Sequence, residues 1–98
     1  MPQYQYRVTM KTPLGPRDGH LLLSTRGTRI RGTLRILGSS NTVSGRLLPD
    51  GSCTLAGKIQ TLVRTIPYTA DGRYDAASIE LTIHGERNTM PLQGTSIP

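Results

Sequence analysis

A chain of 98 residues carrying a formal charge of +6 and one cysteine, Cys53, is long enough for a single hydrophobic core, so one domain spanning residues 1–98 is expected and an intramolecular disulfide is excluded. Aromatic residues make up 4% of the chain and all are tyrosine, which leaves the core to Leu, Ile, Val and Met. No segment approaches the ~18 apolar residues of a membrane-spanning helix, and Met1-Pro2-Gln3-Tyr4 lacks the basic and apolar regions of a secretory leader, so a cytoplasmic protein is expected.

Residues 3–12 give the cleanest alternation in the chain: Tyr4, Tyr6, Val8 and Met10 against Gln5, Arg7, Thr9 and Lys11, a strand with one dry and one wet face. Thr12-Pro13-Leu14-Gly15 ends it in a turn, and residues 16–19 extend the loop. A second strand covers residues 20–26 with Leu21 and Leu23 inward, which leaves Leu22 outside. In the third, residues 28–37, Ile30, Gly32, Leu34 and Ile36 oppose Arg29, Arg31, Thr33 and Arg35. A helix there would carry Gly32 and Thr33 mid-span and push Ile36 out of its stripe, so a strand is preferred.

After Gly38 to Ser40, a fourth strand over residues 41–48 sets Val43, Gly45 and Leu47 inward, and Pro49-Asp50-Gly51 makes a tight hairpin. The fifth, residues 52–61, faces Cys53, Leu55, Gly57 and Ile59 inward. The sixth, residues 63–70, pairs Ile66 with Tyr68 on one face before Asp71-Gly72 turns the chain. The seventh, residues 73–84, alternates Ile79, Leu81 and Ile83 with Ser78, Glu80, Thr82 and His84. The last, residues 88–95, carries Met90, Leu92 and Gly94 on one parity.

Nowhere does an apolar helical period persist for three turns, and eight short strands at about twelve residues each with their turns fill the chain. The expected fold is all-β: an antiparallel up-and-down meander of about eight strands, closed or nearly closed into a barrel. Glycine recurs on the dry parity at Gly32, Gly45 and Gly57, where it lets a strand bend. Pro67 and Pro91 lie inside strands and cannot donate to a ladder, so they mark either bulges or an opening that a second subunit closes.

Residues 6–15, Tyr-Arg-Val-Thr-Met-Lys-Thr-Pro-Leu-Gly, followed by the Leu21/Leu23 strand, Gly32-Thr33-Leu34 and the closing Met90-Pro91-Leu92-Gln93-Gly94-Thr95, resemble the small bacterial calycin-like (lipocalin-like) β-barrel domains. The resemblance rests on turns and strand ends across nearly the whole chain, and Tyr4 or Tyr6 stands where such domains often have tryptophan. It implies a barrel with an interior ligand site, in a group many of whose members have no assigned activity.

For chemistry, Asp50 and Asp71 are spent on Asp-Gly turns. Glu80, His84 and Glu86 share one face and are a weak candidate for a metal or proton-transfer role; no phosphate loop, nucleophile elbow or metal-ligand spacing accompanies them, so neither an enzyme nor a cofactor is expected. Cys53 shares the parity of Leu55 and Ile59 and reads as a small buried apolar residue. The lumen candidates are Tyr6, Val8, Met10, Ile30, Leu34, Ile36, Val43, Leu47, Cys53, Leu55, Ile59, Tyr68, Ile79, Leu81 and Ile83, which either pack the interior solid or line a site for a small apolar or anionic ligand. The alternative is a basic stripe of Arg7, Arg29, Arg31, Arg35, Arg46 and Lys58 on the outer parity, contacting nucleic acid or an acidic protein, against the simpler reading of solvated surface charge. No aromatic residue stands among the central arginines to stack a base. Leu22, Leu48 and Leu62 are expected to be exposed and to support a homo-oligomer.

Overall fold

The computed structural model describes residues 3–36, 38–60, 63–86 and 88–97, and none of them is helical. They form eight strands: β1 (Gln3–Thr12), β2 (Gly15–Arg26), β3 (Arg29–Ile36), β4 (Ser39–Leu47), β5 (Cys53–Gln60), β6 (Thr65–Tyr74), β7 (Ser78–His84) and β8 (Thr89–Ser96). Each pairs antiparallel with the next, and β1 pairs with β8 from Tyr6↔Ser96 to Met10↔Leu92, so the meander closes into a barrel. The expected fold class is the observed one.

Inside and outside follow the odd-even pattern. Every lumen candidate is buried except Leu47, which is partly buried against the same cluster, and Leu21, Leu23, Ala70 and Leu92 complete it. The outward positions of β1 to β5 are mostly Arg, Lys, Thr, Ser and Gln, with Asp18 and His20 among them and Leu22 a large apolar exception.

Three sequence expectations are corrected. Residues 16–19 are not loop: Thr12 pairs directly with Gly15, Pro13-Leu14 is the whole connection, and Pro16 to Gly19 form the start of β2. The Thr12 hydroxyl fixes this turn, donating to Gly15 O at 2.7 Å and accepting from Leu14 N at 3.2 Å. Likewise Ile36 pairs with Ser39, so β4 starts two residues before residue 41. Asp71-Gly72 does not turn the chain either. Both residues lie within β6, paired to Thr54 and Cys53 on one side and to Thr82 and Leu81 on the other. The reversal comes at Asp75, whose Oδ1 accepts from the backbone N–H of Ala77 (2.8 Å) and Ser78 (2.9 Å); these bonds hold its carboxyl below the usual range.

The prolines do not open the barrel. Pro67 pairs with Lys58, but the β6 ladder to β7 begins only at Thr69; Pro91 pairs with Thr82, and the β8 ladder to β1 begins at Leu92. Pro16 pairs with Lys11, and β2 meets β3 only from Gly19. The stagger of the strands leaves each proline with a neighbour on one side only, where a residue without an N–H fits. All three lie at the same end of the barrel.

The opposite end, where β1 begins, β8 ends and the β2–β3, β4–β5 and β6–β7 connections lie, is closed by tyrosine. Tyr4 stacks against Tyr6 with ring centroids 6.4 Å apart, and Tyr74 meets Tyr4 edge-on at 5.5 Å. The Tyr6 hydroxyl donates to the Asp75 carbonyl, tying the plug to the β6–β7 turn.

Burial pushes Tyr68 and Tyr74 up to about 12, and raises Tyr6 further, with Tyr74, Tyr4, Asp75 and Cys53 adding to it. A folded-state pKa above the unfolded value near 10 favours folding fully below about pH 10, and that contribution is lost as pH rises toward 12. For Tyr68 the two-unit difference corresponds to about 2–3 kcal/mol. The expected result of an alkaline titration is a cooperative loss of the sheet signal between about pH 10 and 12, with most of the phenolate absorbance appearing in the same step. Phenolate formation from Tyr68 with the sheet intact contradicts this packing.

Candidate functional site

At the end opposite the tyrosine cluster no described residue forms such a plug. The interior there forms a hollow of about 420 Å³, within the range of small-molecule sites. Its floor is Met10, Ile59, Tyr68 and Ile83, four of the lumen candidates; Ile66 and Met90 continue the wall, and the β1–β2 turn lays Pro13 and Leu14 along the rim. Leu14 is 85% exposed and Val63, in the β5–β6 connection at the same end, is 87% exposed. The other lumen candidates do not line this hollow: Ile36, at the β3–β4 turn, lines a separate surface groove, and the rest pack one another in the core.

Two cations stand at the mouth. Arg17 is directly across from Met10 and lies on the inward parity of β2, half-buried, with its Nη1 donating to Pro16 O at 3.1 Å. Among the described residues no carboxylate pairs with it. Arg64 meets Glu86 across the rim at 2.5 Å, an exposed pair. Tyr68 lies over Gly57, where an added Cβ would come within 2.8 Å of the tyrosine hydroxyl, so the missing side chain of Gly57 makes room for the ring. The arrangement offers an apolar chamber with a guanidinium at its edge, suited to a molecule with an apolar body and an anionic group.

Sequence reasoning missed Arg17, because residues 16–19 read as loop. Counting the parity of Leu21 and Leu23 back through Gly19 finds it.

The weaker candidates are dispersed. His84 Nε2 lies 3.2 Å from Asp71 Oδ1 on the outer face, Glu86 turns to Arg64, and Glu80 pairs in register with Arg73. Among the described residues no three His, Cys, Asp or Glu side chains could hold one metal ion. Cys53 is buried, and burial raises its thiol pKa, with the Asp71 charge adding to the effect.

Arg7, Arg29, Arg31, Arg35, Arg46 and Lys58 are all exposed on the outer face. Leu22 (39% exposed) and Leu48 (41%) do not join into one apolar patch, because the row Arg26–Arg29–Arg46 runs between them; Leu62 lies outside the described residues. No family model, curated protein or solved structure matches the chain.

Proposed function

We propose that the barrel is a non-enzymatic binding protein that takes a small amphiphilic anion into its open end, the apolar body lying on Met10, Ile59, Ile66 and Ile83 and the anionic group meeting Arg17. The observation that carries this reading is the combination of a hollow of about 420 Å³ with a half-buried cation that no described carboxylate neutralises. A charge-assisted hydrogen bond from a guanidinium at an apolar edge favours an anion over its neutral analogue by about 1.5–3 kcal/mol, tenfold or more in affinity. The resemblance to calycin-like domains, with an interior ligand site, agrees with this assignment. So does a water-facing exterior of Arg, Thr and Ser, the inverse of a membrane-spanning barrel, in keeping with work in the cytoplasm.

The test has two steps. Native mass spectrometry of gently purified protein looks for a co-purifying small molecule. Titration with a medium-chain carboxylate and the matching alcohol then measures the preference, with the carboxylate bound about tenfold more tightly or better. Arg17→Glu abolishes that preference while the sheet signal stays intact. Equal affinity for acid and alcohol, or no binding of either, overturns the assignment.

A further inference from the structure

The charge of the chain is divided between the two halves of the barrel. Residues 1–48, which contain β1 to β4, hold eight of the twelve Lys and Arg and a single acid, Asp18; residues 49–98 hold four basic residues and five acids. The first half is therefore +7 and the second −1. Asp18 is included in that sum; its Oδ1 accepts from Thr9 Oγ1 at 2.8 Å, and it lies beside Arg7 and Arg35.

The strand register arranges these charges in rows. Arg29 is the direct partner of Arg26 on one side and of Arg46 on the other, three like charges side by side at the interstrand spacing of about 4.8 Å. Like charges directly opposite are destabilising, and among the described residues no carboxylate relieves this row. A second row, Arg7–His20–Arg35–Ser40, crosses β1 to β4 along a shallow surface groove of about 690 Å³. Arg29 and Arg35 stand six positions apart along β3, about 20 Å, with Arg31 between them.

We infer that the outer face of β1–β4 binds a nucleic-acid duplex through its phosphates. Two arginine rows about 20 Å apart reach phosphates on either side of a groove about 12 Å wide, and Ser24, Thr33 and Ser44 between them add hydroxyl donors for phosphate oxygens. No tyrosine is exposed on this face, since all four lie on the inward parity, so the stacking platform of a single-strand binder is missing. An acidic protein surface is disfavoured because stable protein interfaces centre on buried apolar anchors, and here Leu22 stands alone among arginines. The contacts are to backbone, so recognition is independent of sequence. Ligand uptake at the open end neither requires nor blocks it.

The test is fluorescence anisotropy with a short mixed-sequence DNA duplex, the matching single strand and polyglutamate. Duplex affinity is expected to fall by roughly 10²–10³-fold between about 50 and 200 mM salt, in line with four to five phosphate contacts. Arg29→Gln weakens duplexes of different sequence equally and lowers the salt slope by about one. It also melts no lower than the wild type, since it relieves a like-charge row. Arg73→Gln, on β6, changes neither. Salt-independent binding, tighter binding of the single strand, or equal losses from Arg29→Gln and Arg73→Gln overturn the inference. Binding of polyglutamate without binding of duplex replaces nucleic acid with an acidic protein partner.

Discussion

Tyr6→Ala lowers the stability of the barrel by about 3–5 kcal/mol and its melting temperature by roughly 15–30 °C. The ring is fully buried, and it packs against Tyr4 and Tyr74 at the end of the barrel where β1 begins and β8 ends. Truncation leaves a cavity that β1 cannot close by shifting, because its partners on both sides are fixed by the β2 and β8 ladders. Two further variants separate ring from hydroxyl. Tyr6→Phe keeps the packing and loses only the bond to the Asp75 carbonyl, a cost of about 1 kcal/mol. Tyr74→Phe is neutral or slightly stabilising, because the Tyr74 hydroxyl is buried without a hydrogen-bond partner among the described residues. Urea and thermal melts followed by circular dichroism rank the three. A Tyr6→Ala protein melting within about 5 °C of wild type would show that this end is not held by the tyrosine plug.

Alternation was the legible signal, and it worked where nothing competed with it. β1 reads from the sequence with its observed bounds, Gln3–Thr12, because its apolar residues alternate without interruption. The start of β2 was hidden behind Pro16, Asp18 and Gly19, residue types that mark loops in general. In this barrel the stagger gives Pro16 a neighbour on one side only, and the tight packing of Gly19 against Arg35 O and Ile36 excludes a side chain. Asp71-Gly72 misleads for a related reason. An Asp-Gly pair marks a turn when both residues are free of a sheet, but Gly72 lies where an added Cβ would come within 2.0 Å of Glu80 O, so it serves close strand approach. The turn that does form rests on Asp75, followed by no glycine.

The misreading of residues 16–19 concealed one member of the candidate site, Arg17. Met10, Ile59, Tyr68 and Ile83 were legible as inward residues, but parity cannot say which inward residues are packed and which face an open end. That depends on what closes each end: a tyrosine cluster on one side and, among the described residues of the other, the β1–β2 turn and the long side chains of Arg17 and Arg64. The arginine face shows the opposite case. Its members were legible one by one, but the direct opposition of Arg26, Arg29 and Arg46 exists only once the register is known.

Gly32→Ala and Gly45→Ala each destabilise the barrel by about 3 kcal/mol, and the double variant does not hold a stable fold. At Gly32 an added Cβ would sit 1.9 Å from Leu22 O and 2.9 Å from Leu23 Cδ2; at Gly45 it would sit 1.8 Å from Thr54 O and 2.8 Å from Leu55 Cα. The obstruction is mostly backbone of the adjacent strand, which cannot rotate aside as a side chain can. Neither glycine has a positive φ, so the requirement is one of space. Both lie on the inward parity, where a missing side chain lets a strand bend as closure of a sheet requires. Relief therefore means flattening β3 against β2, or β4 against β5, and flattening either strains every ladder on the way to the β1–β8 seam. Because the two clashes are with different strands, β2 at Gly32 and β5 at Gly45, the two costs add to about 6 kcal/mol, comparable to the entire stability of a domain this small. Gly85→Ala serves as the reference, since the nearest atom to its added Cβ is Asn88 O at 3.4 Å, and its melting temperature stays within a few degrees of wild type. Loss of the sheet signal in the double variant at room temperature is the expected reading. A double variant that melts with either single one would mean that the barrel closes without these two bends.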